Sequence, residues 1–283
     1  MDLIQPDNQA QERGEYVVLA RKYRPRDFST MVGQDALVRT LRNAFDTGRL
    51  AHAFLLSGVR GVGKTTSARI VARALNCQED GRTTPAADPC GVCESCKAIS
   101  EDRSVDVLEM DAASHTGVDN IRDILDGVKY APVSSRYKIY IIDEVHMLSK
   151  GAFNALLKTL EEPPAHVKFI FATTEADKVP ITVRSRCQRF DLRRISAEDL
   201  AAYFATLMET EGVTVEEEAL KLIARAADGS ARDGLSLLDQ AIALSQGEVS
   251  IDDVRTMLGL SDQSRVIDLF KAIASGQPET ALS

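Results

Sequence analysis

Gly58-Val59-Arg60-Gly61-Val62-Gly63-Lys64-Thr65 fits the spacing G-x-x-x-x-G-K-[ST] in full, and Thr66 follows it. Glycines at these positions let the backbone wrap a phosphate with successive N–H groups pointing inward. The helix predicted from Lys64 onward adds the positive end of its dipole. Lys64 would bridge the β- and γ-phosphates, and the Thr65 hydroxyl would ligate Mg²⁺. Well downstream, Lys138-Ile139-Tyr140-Ile141-Ile142-Asp143-Glu144 is an apolar run ending in two carboxylates. A buried strand there delivers Asp143 to hold Mg²⁺ through water, and Glu144 to polarise a water attacking the γ-phosphate in line. Alone, such a run is as readily a capped strand. Behind a complete phosphate loop it predicts a nucleoside triphosphatase, with ATP as the nucleotide.

Other residues carry weaker chemistry. Ala172-Thr173-Thr174 ends a further apolar run, where a hydroxyl could orient water or touch the γ-phosphate, although threonine at a strand end is more often structural. Gly229-Ser230-Ala231-Arg232-Asp233 starts a helix, with Ser230 as N-cap and Asp233 completing a variant capping box. Arg232 then lies in a first turn, where the dipole disfavours a cation unless an anion is near; a solvated surface arginine is an equal reading. Arg186 sits in Ser185-Arg186-Cys187, and local chemistry does not prefer it to Arg184 or Arg189.

Four of the five cysteines cluster: Cys77, then Cys90, Cys93 and Cys96, the last three at x₂ spacing. Four thiolates suit tetrahedral Zn²⁺, and Gly91 allows the tight turns. No ligand position is left for water, so a structural site is expected. The polar, Pro/Ala-rich stretch Gln78 to Pro89 is not expected to order without the metal. Cys187 stands outside the cluster and reads as a small buried residue.

The elements that must position these residues follow from periodicity. Ala53 to Ser57, Ile139 to Ile142 and Val167 to Ala172 read as buried parallel strands, and Val105 to Met110 as a strand nearer an edge. Gln188 to Leu192 is the expected last strand. Helical stretches at Lys64–Leu75, Val118–Val128 and Gly151–Leu160 alternate with them, which indicates an α/β doubly wound parallel sheet. Beyond Leu192, helix-spaced apolar residues over Ala197–Glu211, Val215–Ala227, Ala231–Ser245 and Asp252–Leu258 predict a small all-helical domain. Ser261 to Ser283 begins another helix with Val266, Leu269, Phe270 and Ile273 on one face, and stops near a helix start after Pro278, as a truncated chain would.

The chain has 283 residues, 44% of them hydrophobic, and a net charge of −8, which argues against a generally basic nucleic-acid-coating protein. Met1 to Glu15 is polar, with no secretory h-region, and no apolar run is long enough for a membrane span, so a cytoplasmic location is expected.

These residues together resemble the tau/gamma subunit family of bacterial DNA polymerase III clamp loaders, of the AAA+ class. The resemblance runs from about Tyr16 into the last helix. Its marks are Ala20-Arg21-Lys22-Tyr23-Arg24-Pro25, the cysteine cluster after the phosphate-loop helix, Asp143-Glu144-Val145-His146-Met147-Leu148, Asn154 to Pro164, and Ser185-Arg186-Cys187. It implies a flexible tail (1–15), an AAA+ nucleotide-binding domain (16–192, zinc-binding insert 77–96), a helical lid (193–258) and the start of a helical collar (259–283). It also implies that Thr174 is the first sensor, Arg232 the lid sensor, and Arg186 a finger acting in trans on a neighbour's γ-phosphate. Segments around Tyr23, Arg24, Pro25, Val32 and Gln34 would frame the adenine. The implied partners are other clamp-loader subunits, the sliding clamp and primed DNA, although Ser114-His115-Thr116-Gly117 offers DNA little fixed positive charge. The competing readings are a branch-migration type AAA+ remodeller, a non-hydrolysing assembly subunit and a zinc DNA-binding module. The cysteine cluster with Ser-Arg-Cys disfavours the first, the complete set Lys64, Thr65, Asp143 and Glu144 the second, and the acidic charge the third.

Overall fold

The computed structural model describes residues 16–114, 116–245, 247–260 and 270–276. The expected tail 1–15, His115, Val266, Leu269 and the segment after Pro278 lie outside the described residues.

The apolar runs become five parallel strands: β1 (Ala53–Ser57), β2 (Val107–Asp111), β3 (Lys138–Asp143), β4 (Val167–Thr173) and β5 (Gln188–Asp191). Their order is β2-β3-β4-β1-β5, which leaves β2 and β5 at the edges. β1 and β4 are buried along their whole length, as strands covered on both faces must be. The register opposes Ser57 to Thr173 and Asp191, and Asp111 to Asp143, so every strand delivers its last polar residue to one edge.

The helices before and between the strands are α1 (Leu19–Lys22), α2 (Asp35–Asp46), α3 (Lys64–Asn76), α4 (Glu94–Ser100), α5 (Val118–Val128), α6 (Lys150–Glu161) and α7 (Ile181–Arg184). Alternate strand residues feed two cores. Phe54 and Leu56 pack with Leu41 of α2 and Ile70 and Leu75 of α3, while Leu55 faces Ile121 of α5 and Leu156 of α6. Neither α2 nor α4 is anticipated from the sequence, although Leu37, Leu41, Ala44 and Phe45 of α2 bury one helical face.

The lid is α8 (Ala197–Glu211), α9 (Glu217–Ala226), α10 (Ala231–Leu244) and α11 (Ile251–Met257), around Leu200, Phe204, Ile223, Leu238 and Val254. Ser196, Ser230 and Ser250 cap α8, α10 and α11. The reciprocal half of the capping box forms at Asp253 and not at Asp233, because the Ser230 N–H already donates to the Ala227 carbonyl at 2.9 Å. Leu19 and Tyr23 are buried in the lid's core, so the chain's first described turn packs against its last helices. The Leu19 N–H donates to Asp239 at 2.8 Å and Lys22 pairs with Glu211 at 2.6 Å.

Asp106, fully buried just before β2, fixes the loop into β3. It accepts the N–H groups of Val133, Ser134 and Ser135 at 2.7–2.8 Å. Burial alone would raise its pKa, but these hydrogen bonds to the charged form outweigh burial and hold the carboxyl below its ordinary value. A lowered folded-state pKa stabilises the fold above the unfolded value of about 4, and that stability is lost as pH falls through the lower folded value. Asp106→Ala leaves three N–H donors without their buried partner and should cost about 2–4 kcal/mol in denaturant unfolding at pH 7. The gap between wild type and variant should narrow in acid.

Candidate functional site

The chain leaves β1 at Ser57, turns through the glycine loop and enters α3. Gly61 and Gly63 have φ of +77° and +101°, backbone that a side chain rarely adopts. Space is as restrictive as torsion. A Cβ on Gly58 would lie 2.8 Å from the Leu192 carbonyl oxygen, and one on Gly61 only 1.9 Å from Ser230 Oγ. The loop is therefore held between the exit of β5 and the start of α10.

Lys64 is 6% exposed, and its ammonium donates to the carbonyls of Gly58 and Val59 at 3.0 Å each. Burial lowers its pKa, against the pull of Glu144 and Asp143. The Thr65 hydroxyl donates to Asp143 Oδ2 at 2.5 Å. Hydroxyl and carboxylate oxygens side by side are the hard donors that Mg²⁺ takes. Glu144 has φ of +45°, and its Oε2 accepts both the N–H (3.1 Å) and the hydroxyl (2.9 Å) of Thr174.

A cavity of about 600 Å³ lies over this edge. Its lining includes Tyr23, Arg24, Pro25, Val32, Arg60, Gly61, Val62, Gly63, Lys64, Thr65, Thr66, Asp143, Glu144 and Arg232, so most of the expected nucleotide residues meet around one space. Arg24 donates to Thr66 Oγ1 at 3.3 Å, and burial, then the nearby Arg69, lowers its pKa. Arg232 is exposed at the rim and has no carboxylate partner among the described residues. Gln34 is not at the cavity: its side chain exchanges two hydrogen bonds with the Arg193 backbone, at 2.8 and 3.2 Å. Arg186 is also elsewhere, bonded to Glu161 and the Thr182 carbonyl at 2.6 Å each. Arg184 pairs with Asp177 and Arg189 with Asp191.

Sequence reasoning overlooks Asp111, Ile195, Tyr203 and Leu235, which also line the cavity. Asp111 carried a usable signal, a carboxylate ending a strand just as Asp143 does. Tyr203, whose phenol burial pushes up to about 12, had none, because the lid's helical pattern accounts for it as core.

The second site is the cysteine cluster. Its four sulfurs lie within 4.8 Å of one another, with Cys77 and Cys96 buried. The N–H groups of Cys90, Cys93 and Cys96 point at the sulfurs of Cys77, Cys90 and Cys93 at 3.3–3.5 Å. Such donors favour thiolates, most at Cys93, where burial raises the pKa but N–H groups of Gln78 and Cys96 outweigh it and bring it down to about 7; at Cys90 and Cys96 burial prevails and the thiols are pushed up. Four convergent sulfurs with N–H support fit a closed tetrahedral ion. The Gln78–Pro89 stretch, expected to depend on the metal alone, has a further anchor. Arg136 donates to the carbonyls of Leu75, Cys77, Arg82 and Thr83, so one guanidinium collects the insert's backbone. Cys187 lies apart, and burial pushes its thiol up to about 12.

Family models match nearly the whole chain: "DNA polymerase III, delta subunit" over residues 33–196, "DNA polymerase III clamp loader subunit, ATPase lid domain" over 199–247, and "DNA polymerase III subunits gamma and tau domain III" over 249–283. DNA polymerase III subunit tau of Salmonella typhimurium is 50% identical over 95% of this chain and 41% of its own length. DNA polymerase III subunit gamma of Buchnera aphidicola subsp. Schizaphis graminum is 48% identical over 90% of this chain and 69% of its own. The chain thus spans about two fifths of the tau relatives. Among solved structures, the Thermotoga maritima RuvB Holliday junction branch migration motor aligns with a TM-score of 0.61 over 84% of this chain and 72% of that one. Its 19% identity makes this a likeness of fold alone. The chain belongs to the tau/gamma subunit family of bacterial DNA polymerase III clamp loaders.

Proposed function

We propose that this chain is the ATP-binding and hydrolysing motor portion of a bacterial replicative clamp loader, which opens the sliding clamp and places it on primed DNA. The observation that carries the reading is the convergence of Lys64, Thr65, Asp143 and Glu144 at one sheet edge beneath Arg232 of the lid. The half-identical tau and gamma relatives supply the clamp-loader context. The partners proposed are other clamp-loader subunits, the clamp and primed DNA, with the cytoplasm as the setting. The proposed organisation is a nucleotide-binding domain to about residue 192, a lid to 258 and a collar beginning at 259.

In this reading the loop N–H groups and Lys64 bind the phosphates, and Thr65 with Asp143 would hold Mg²⁺, which offsets charge on the γ-phosphate. Glu144 takes the proton of the attacking water. Thr174 senses the γ-phosphate and Arg232 closes on it from the lid. Arg186, which lies away from its own chain's cavity, acts on a neighbour's nucleotide. The four cysteines hold structural Zn²⁺.

Lys64→Ala should abolish ATP binding in a nucleotide titration, because it removes a ground-state phosphate contact. Glu144→Gln should bind normally and not turn over; equal loss of binding in both variants would sink the assignment. Metal analysis of reduced protein should find about one zinc per chain. Chelation should speed hydrogen exchange across residues 77–96 while ATP affinity stays near normal, and clearly sub-stoichiometric zinc would count against the site.

A further inference from the structure

His146, two residues beyond Glu144, has a side chain only 7% exposed and lies between two glutamates. Its Nδ1 is 2.9 Å from Thr173 Oγ1 and 3.4 Å from Glu144 Oε2, and its Nε2 is 3.4 Å from Glu175 Oε1. The Thr173 hydroxyl also accepts the Glu175 N–H at 3.0 Å, and with one proton and two lone pairs it can meet Nδ1 of either tautomer. His146 thus ties Thr173 and Glu175, the residues on either side of Thr174, to the segment that carries Glu144. Thr174 in turn gives both its N–H and its hydroxyl to Glu144 Oε2.

We propose that His146 is a positioning residue for ATP turnover: it pins the turn after β4 to the turn after β3, so that Thr174 keeps the Glu144 carboxylate in place. The proposal rests on Glu144 being the group that activates water. Because Thr173 and Glu175 are both tied to His146, losing that tie would let the turn shift and carry Thr174, with the carboxylate it holds, out of place. The contacts cross between segments 27 residues apart that share no other side-chain pair involving His146 and β4 among the described residues.

The test uses the clamp loader assembled on the full-length subunit, with ATP affinity and DNA-stimulated turnover measured for each variant. His146→Leu and Thr173→Val should each lower kcat by about 100-fold, the scale of a small misplacement of a catalytic group, with ATP Kd within about twofold of wild type. Combining them should be no worse than either alone, because both remove one link. His146→Asn, whose side-chain amide can bond the Thr173 hydroxyl near the place of Nδ1 as donor or acceptor, should recover most of the loss. Near-normal turnover of His146→Leu, an Asn variant as poor as Leu, or a Kd that worsens in step with kcat would each overturn the positioning role. A Glu144→Gln complex that turns over like wild type would instead overturn the base assignment beneath it.

Discussion

The approach of Ser230 to Gly61 is the constraint on which the site depends. With a Cβ position on Gly61 only 1.9 Å from Ser230 Oγ, the phosphate loop and the first turn of α10 are in contact through a hydrogen atom's width of space. Ser230 is 3% exposed and caps the helix that carries Arg232, so loop, cap and rim arginine form one packed unit. A second close approach supports the first: a Cβ on Gly229 would meet that of Arg194 at 2.6 Å, which ties the same turn to the chain leaving β5. Residues 16–23 add a third connection. They are fastened to Asp239 and Glu211 of the lid, and the next residues, Arg24 and Pro25, line the cavity. A ligand between loop and lid therefore touches parts that are already packed against one another.

Charge makes that ligand an anion. Lys64 and Arg24 are both depressed chiefly by burial, and Arg24 further by Arg69 and Arg232, whereas a polyphosphate would restore their preference for the charged form. Asp143 and Glu144 on the opposite side would repel the same phosphates without a divalent ion between. The chain's net charge of −8 says nothing of this local arrangement, in which Arg24, Arg60, Lys64 and Arg232 line one cavity.

The phosphate loop, the strands and the cysteine cluster were legible because each is a local pattern: apolar runs bounded by turn residues, or four thiols at ligand spacing. Their meeting was legible too, since parallel strands deliver their ends to one edge, and Thr65 finds Asp143 across 78 positions of sequence. What was not legible is long-range. Arg136 reads as an ordinary surface arginine until three carbonyls of the insert and one at the end of α3 turn toward it. Asp106 reads as the polar start of an edge strand, yet it is fully buried and holds a loop. Leu19 and Tyr23 belong to a core whose other members begin at Ile195, which no local periodicity can announce. The Asp233 half-box failed for a similar reason, because a carbonyl of the preceding turn claimed the N–H first.

Hydrogen exchange with and without ATP and Mg²⁺ tests the coupling of loop and lid most directly. Protection over residues 58–66 should be accompanied by protection over 228–235 and over 16–25, since a nucleotide seated on the loop also lies against the lid and the segment fastened to it. Protection confined to the loop, with both other segments exchanging as they do without nucleotide, would contradict the coupling.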